Sequence, residues 1–555
     1  MERVVSRSFN LLHQPWVRVS DRSGAVTELS MLDVFDSAPT LAAIVGEMPT
    51  QAAAVLRLHL AVAYRALRHD RPVEDALDEW EQWWGAGFLP VERIRAYLLA
   101  HEERFDLFDA RAPFMQVADL HTASGKTSGL RKLIAEVPDG HQFFTTRAGG
   151  ALTSISAAEA ARWLVHVQAF DPSGIKTGAV GDPAVKGGRG YPIGQGWTGR
   201  LGLVIVEGQT LAETLLLNLV HSSPSREEDR PVWERPLQSA APDIEVVPES
   251  GGQPRGTADL LTWQVRRVRL IQDDGAVVDS LIANGDRITP QNRQSMELAT
   301  AYRYSEAQSK QHKHEVYMPL EHQPERSLWR GLSSLLTEPA QEQGERVSRR
   351  RPPVLEWLDN LRVGAVSPDH PVRLRAIGME YGSQASSVAG VTDDALAVQF
   401  GALSDAFARS QVVAAADASG SAVRQLQDLA VHLVLASGGT PVGTRERSAE
   451  LGFAALDGPF RGWLATFDPA GDTDAQVEQW HRDARQLLRD LADEMVEAAG
   501  PSAVRGREVS VRAGARPTLM DAGLADIYFR RGLVRALDRG LPSRPVPAGT
   551  RKENA

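Results

Sequence analysis

The chain has 555 residues, with 61 lysines and arginines against 71 aspartates and glutamates, a formal net charge of −10 and no cysteine. That length exceeds one compact core, since domains typically run to about 100–200 residues, and it predicts two or more domains; hydrophobic content of 43% with 24% charged residues excludes wholesale disorder. Without cysteine there are no disulfides, thiolate nucleophiles, iron–sulfur clusters or cysteine zinc sites, and the acidic balance argues against a coat of positive charge for nucleic acid while leaving room for a local basic face.

In chain order, MERVVSRSFNLL opens the sequence without a signal-peptide h-region, and no run of about 18 apolar residues occurs anywhere, so a soluble cytoplasmic protein with no membrane contact is expected. Residues 15–32, PWVRVSDRSGAVTELSML, alternate apolar and polar positions around Arg-Ser-Gly and predict a β-hairpin. Residues 51–68, QAAAVLRLHLAVAYRALR, and then VEDALDEWEQWWGAGF have helical spacing, and helices are expected to dominate to about residue 110. From 114 to 353 strands such as RLGLVIVEG and LTWQVRRVRLI alternate with long stretches rich in Gly, Pro and Ser. After Asp393 four amphipathic segments follow. Their stripes are Leu396, Phe400, Leu403 and Phe407; Val423, Leu426, Leu429 and Leu433; Leu451, Leu456, Phe460, Trp463 and Leu464; and Val477, Trp480, Ala484, Leu487, Leu491 and Met495, the last closing at Gly500-Pro501. A short helix, LADIYFRRGLVRAL, ends the pattern. The fold class expected is α+β: a large irregular mixed α/β domain over 1–375, a hairpin or linker over 376–392, a C-terminal four-helix bundle over 393–545 and a disordered tail over 546–555.

Few motifs carry chemistry. Gly194, Gly196 and Gly199 satisfy G-x-G-x-x-G as a string, but a loop precedes it and a strand follows, the reverse of a dinucleotide site. His312, His314 and Glu315 lack a third ligand and stand beside Lys310 and Lys313, which suits a solvated basic loop better than a metal. Asp393 and Asp394 read as helix N-terminal charges. No G-x-S-x-G elbow and no P-loop occur, so no catalytic residues and no cofactor are assigned and the protein is read as a non-enzyme. What remains suits a polyanion. Residues 171–196 set Gly174, Gly178, Gly181, Gly187, Gly188 and Gly190 among Lys176, Lys186 and Arg189, where backbone and cations can both approach phosphate, unless the stretch is only a flexible surface loop. Arg266, Arg267 and Arg269, residues 310–314, and Arg346 with Arg349, Arg350 and Arg351 are further basic runs, read as local positive patches.

These strings, in order, resemble a known family. FNLLHQPWVRV (9–19), APFMQV (112–117), the Gly-rich segment from Gly174, ETLLLNLV (213–220) and Gly382-Ser383-Gln384-Ala385-Ser386 just before the helical region are similar to the large, CasA-type subunit of the type I-E CRISPR surveillance complex, Cascade, over nearly the whole chain. The resemblance implies a non-catalytic subunit that recognises the protospacer-adjacent motif of double-stranded DNA from the minor-groove side, helps open the duplex for the guide RNA, joins the other Cascade subunits and docks a helicase-nuclease. It implies Gln384 as a wedge flanked by Ser383 and Ala385, and Gly174 and Gly178, with Lys176 and Thr177, as the loop that reads the motif. A lysine on a β-hairpin, known in some members, finds no match: residues 279–304 hold an expected Asn284-Gly285 hairpin turn and Arg287 but no lysine. The cysteine cluster of some relatives is lacking, so no zinc is expected. Residues 143–150, FFTTRAGG, lie where the family contacts the guide-RNA end, and Arg485, Arg489, Arg530, Arg531 and Arg535 are candidate phosphate contacts. Two other classes compete: a nucleotide-dependent enzyme using the Gly-rich 171–199 segment, and a scaffold that binds only proteins.

Overall fold

The computed structural model describes residues 8–67, 73–137, 147, 152–221, 227–242, 253–337, 347–361, 364–509 and 517–538. Two compact units divide the chain: Met1–Glu325 with Glu338–Ala365 and Val372–Ala395, and Arg326–Thr337 with Val366–Pro371 and Leu396–Ala555. Residues 326–337 and 366–371, which a single cut near residue 375 leaves in the first domain, group instead with the second unit.

The first unit is mixed α/β. Its opening hairpin pairs Val17–Asp21 with Val26–Leu29, and Leu41–Ile44 adds a third strand on the other side. Val17 and Val19 are buried while Arg18 and Ser20 are half-exposed, the two-residue period of a strand with one face in the core. The helix Pro49–Ala66 is buried continuously from Thr50 to Ala63 and packs against the helices Ala157–Phe170 and Thr257–Leu261. A helix enclosed on all sides has to satisfy its polar groups internally. Arg57 therefore pairs through two bonds with Glu297, at 3.0 and 2.6 Å, and Trp197 Nε1 donates to the same carboxylate at 2.7 Å.

Two strand systems frame the candidate site. Arg266–Asp273 and Ala276–Asn284 form the long hairpin, which turns at Asp274-Gly275, both with positive φ. The expected Asn284-Gly285 turn is thus displaced: Asn284 ends the second strand, and the Gly285 amide donates to the Val265 carbonyl at 2.9 Å at the open end of the hairpin. Leu203–Glu207, Pro371–Tyr381 and Val388–Gln399 form a sheet with Pro371–Tyr381 in the centre. Asp393 and Asp394, expected at a helix start, lie in the last of these strands, where Asp393 accepts from Arg375 at 2.7 and 2.9 Å. Leu396 and Val398 are buried on alternate positions there, so Leu396 belongs to a strand and not to a helical stripe; an even spacing of apolar residues fits both periods over so short a run.

In the second unit the first expected segment is divided: Leu403 lies in a short helix, Gly401–Ser404, and only Phe407 falls in the 32-residue helix Ala406–Ser437, which holds the whole of the second. Asp405 caps its start by accepting from the Ala408 amide at 2.7 Å, and Gly438, at a φ of 88°, ends it. It packs against Thr444–Thr466, Thr473–Ala498 and Ala522–Leu537. Ser419 does not break the helix: its Oγ donates back to the Ala415 carbonyl at 2.7 Å and accepts from Trp480 Nε1 at 2.9 Å. Phe460, Trp463 and Trp480 form the aromatic core around that bond. Residues 539–555, including the expected tail, fall outside the described residues. Among those described, no helix is long and apolar enough to cross a membrane.

Two outcomes follow from this packing. Trp480→Ala should cost about 3–5 kcal/mol in denaturant unfolding, and Trp480→Phe less, because only the former opens a large cavity. In the first unit burial holds His59 and His166 neutral, each with a pKa lowered from 6.5 to about 4. The unfolded chain binds these protons first, so stability is full above pH 6.5 and falls as pH drops towards 4, by up to roughly 3 kcal/mol per histidine. Melting curves between pH 7 and 4.5 check this, and His166→Gln should flatten the slope.

Candidate nucleic-acid interface

The helix Ala157–Phe170 begins at Ser156, whose side chain accepts from the Glu159 amide, and stops at Asp171. Asp171 is buried, and its carboxylate accepts from Lys176 Nζ at 2.6 Å and from Arg266 Nε at 2.5 Å. Arg266 also donates to the carbonyls of Pro172 at 2.9 Å and Gly194 at 2.8 Å, and Gln168 bonds both backbone groups of Arg266. Burial alone would raise the Asp171 pKa, but Lys176 and Arg266 outweigh it and hold the carboxylate below its usual range. Burial lowers Lys176 to about 8 against the pull of Asp171, which still leaves it charged at neutral pH. Three charged groups therefore tie the start of the Gly-rich segment to the helix end and to the long hairpin.

From this anchor the segment runs out and back. Lys176–Thr177 pairs with Arg189–Gly190, and the Gly178 amide donates to the Gly188 carbonyl at 3.0 Å. A Cβ on Gly178 would lie 2.6 Å from the Gly188 carbonyl carbon, so a side chain is excluded where the two arms cross. At Gly174 a Cβ would meet only the Ser386 carbonyl, at 3.4 Å, leaving that face open. Ile175 is 52% exposed, and Lys186, Arg189 and Tyr191 are exposed around it. Thr177 Oγ1 lies 3.1 Å from Ser128 Oγ.

Gln384 stands on the turn between Pro371–Tyr381 and Val388–Gln399. The turn is closed by Gly382 N–H to the Ser387 carbonyl at 2.9 Å, Ala385 N–H to the Gly382 carbonyl at 2.9 Å and Ser386 Oγ to the Ser383 carbonyl at 2.8 Å. Gln384 and Ala385 have φ of 56° and 51°, two successive residues with side chains in the left-handed region, at a cost of about 1–2 kcal/mol each. Ser383 and Gln384 are exposed. The turn meets the Gly-rich segment directly, because the Ser173 amide donates to the Ala385 carbonyl at 2.6 Å. Below it the Tyr381 hydroxyl donates to the Phe170 carbonyl at 2.6 Å. A cavity of about 90 Å³ beside this junction is lined by Arg131, Lys132, Asp171, Gly174, Lys176 and Ser386. Arg131 and Lys132 are exposed at its rim.

With this geometry in view, the comparisons with known proteins decide the family: the sequence model described as CRISPR-associated protein Cse1 matches residues 10–491. The chain belongs to the Cse1 family. The CasA-type resemblance read from the sequence thus holds at the level of the family. The crystal structure of Cse1 from Thermobifida fusca is 41% identical with a TM-score of 0.84, covering 96% of this chain and 98% of that one. Cse1 from Acidimicrobium ferrooxidans is 28% identical with a TM-score of 0.80, covering 97% and 100%. A CasA/Cse1 protein of Thermus thermophilus is 31% identical over 363 residues, 64% of each chain, so less than two thirds of that relative is matched.

Several basic positions read as surface patches are placed otherwise in this Cse1-family chain. Arg266 and Arg267 are buried to 1% exposure, the first on Asp171 and the second on Asp286 at 2.8 Å, because strand alternation is suspended where both faces of the hairpin are covered. Lys176, expected to face DNA, is turned inward onto Asp171. Arg351 pairs with Asp359 at 2.7 Å. Arg269 is exposed and donates to the Leu120 carbonyl. Arg530 pairs with Asp526 at 2.7 Å and Asp493 at 2.5 Å, and Arg485 pairs with Asp538. His312 and His314 are exposed, and Lys310 pairs with Glu306 at 2.7 Å. Arg346 and, apart from Arg147, residues 143–150 lie outside the described residues. Gly196 and Gly199 do not open on a ligand: the first packs on the Ala169 carbonyl and the second against the Tyr381 hydroxyl, which removes room for a phosphate cradle there. Arg131, Lys132, Ile175 and Tyr191 were not singled out from sequence, since nothing local distinguishes an exposed residue beside a site from any other.

Ala385→Gly tests the turn itself. At an ordinary position that change destabilises, whereas here it should raise stability by about 1 kcal/mol, because glycine adopts positive φ without a Cβ clash. Denaturant unfolding of the two chains reads the sign.

Proposed function

We propose that this chain is the non-catalytic Cascade subunit that recognises the protospacer-adjacent motif in double-stranded DNA, helps unwind the duplex for R-loop formation and recruits the helicase-nuclease. The observation that carries the reading is Gln384, exposed at the tip of a left-handed turn whose carbonyl is bonded to the Gly-rich segment. A minor groove offers few distinguishing groups, so backbone that approaches closely suits it better than long side chains. Gly174 is the position open to such an approach, while Gly178, Thr177 and Lys176 shape the loop from within.

Beside the motif, Gln384 inserts at the first base pair, with Ser383 and Ala385 holding its angle. Unstacking a step costs a few kcal/mol, which motif and backbone contacts must offset. The amide of glutamine can also bond the exposed base edges, which an apolar wedge could not. Arg131, Lys132, Lys186 and Arg189, all exposed around the two loops, supply positive charge for the adjacent phosphates. The chain does this work in the cytoplasm within the assembled complex, with guide RNA and the other subunits as partners and the helical unit, read as a C-terminal four-helix bundle, bracing its neighbours. It needs no metal or cofactor.

The test is the reconstituted complex on duplexes with and without the motif, scored for affinity and for strand opening. Gln384→Ala should lower opening at least tenfold and change motif-dependent affinity by no more than about threefold. If leaving the subunit out changes neither quantity, the assignment of both roles is wrong.

A further inference from the structure

The two loops of the proposed site are joined by few bonds. The turn at 383–387 is held partly by its own hydrogen bonds, but one of its strained residues, Ala385, gives its carbonyl to the Ser173 amide, at 2.6 Å. Ser173 in turn is fixed on both sides. Before it, Arg266 bonds the Pro172 carbonyl at 2.9 Å and Asp171 at 2.5 Å. After it, Lys176 returns to the same Asp171 oxygen at 2.6 Å, closing a six-residue loop around Gly174 and Ile175. Asp171 and Arg266 are 6% and 1% exposed, and Lys176 is buried to 9%. None of the three reaches the surface that would face DNA, and all three lie beneath it.

We infer that Asp171, through Lys176 and Arg266, is a positioning residue that fixes the Gly174–Gly178 loop against the Ala385 carbonyl, so that the loop and the Gln384 turn move as one element. The functional part of this inference rests on the reading above; the mechanical part does not. Left-handed backbone at residues other than glycine persists only where its surroundings over-determine it. The Ser173 bond is the part of those surroundings that the Asp171 cluster controls. Duplex contact on the Gly-rich loop is thereby transmitted to the wedge without any change in the turn's own sequence.

Lys176→Met removes one cation and leaves the Asp171–Arg266 pair neutral, the mildest way to loosen the loop. In the assembled complex, amide hydrogen exchange should accelerate about tenfold in both 173–178 and 383–388, with the Ala406–Ser437 helix unchanged. Acceleration confined to 173–178, or none in either, overturns the coupling. If Lys176→Met is not incorporated, Lys176→Leu, which likewise cannot donate to Asp171, is read by the same criterion. Strand opening then separates the two claims. Lys176→Met and Gln384→Ala should each lower it, and the double variant should fall no further than the worse single, whereas multiplied losses would overturn a shared element. Normal opening by Gln384→Ala sinks the wedge reading alone, and the exchange data still decide the coupling.

Discussion

The carboxylate of Asp171 is taken out of water at the point where a helix ends, and the arrangement of the candidate site depends on how that charge is answered. A buried ion costs several kcal/mol in lost hydration, repaid only by good geometry with opposite charge. Two cations meet it, one from the loop that leaves the helix and one from the long hairpin. Three separate pieces of chain are drawn to one oxygen. The cluster carries a surplus positive charge just beneath the exposed loops, where low dielectric strengthens its field towards solvent.

The same logic reconciles an acidic chain with the polyanion surface proposed for it. Part of its arginine is structural: Arg57, Arg162, Arg266, Arg267 and Arg351 are buried and paired with carboxylates. Those pairs cancel in the count and contribute nothing to the outer surface. The exposed cations around the Gly-rich segment, Lys186, Arg189, Arg131 and Lys132, are few and local.

Strain and support are matched across the two loops. The turn places Gln384 and Ala385 in the left-handed region, and bonds from Gly382, Ser386 and Ser173 hold it there. The carrying strand Pro371–Tyr381 is central in its sheet, and Tyr381 is bonded to the helix end next to Asp171. The wedge role proposed for Gln384 would need such a rigid base, since a loose turn would yield before a stacked base pair did.

Much was legible in the residues themselves. Alternation marked the first hairpin, helical spacing marked Pro49–Ala66 and the long C-terminal helices, and ordered short strings carried the family resemblance, because period and capping act between neighbours in sequence. The roles given to Gly174 and Gln384 came from that resemblance and from no local period. What sequence misplaced were the long-range matters. Whether Arg266 is surface or core, whether Lys176 faces outward or turns onto Asp171, and whether Asp393 begins a helix or pairs with Arg375 across a sheet are decided by how the hairpin, the loop and the sheet close on one another, which no local period records. Local pattern therefore determined the elements, and the resemblance proposed the tip of the site; burial and charge pairing, which exist only once the chain has closed on itself, decided which side chains remain exposed.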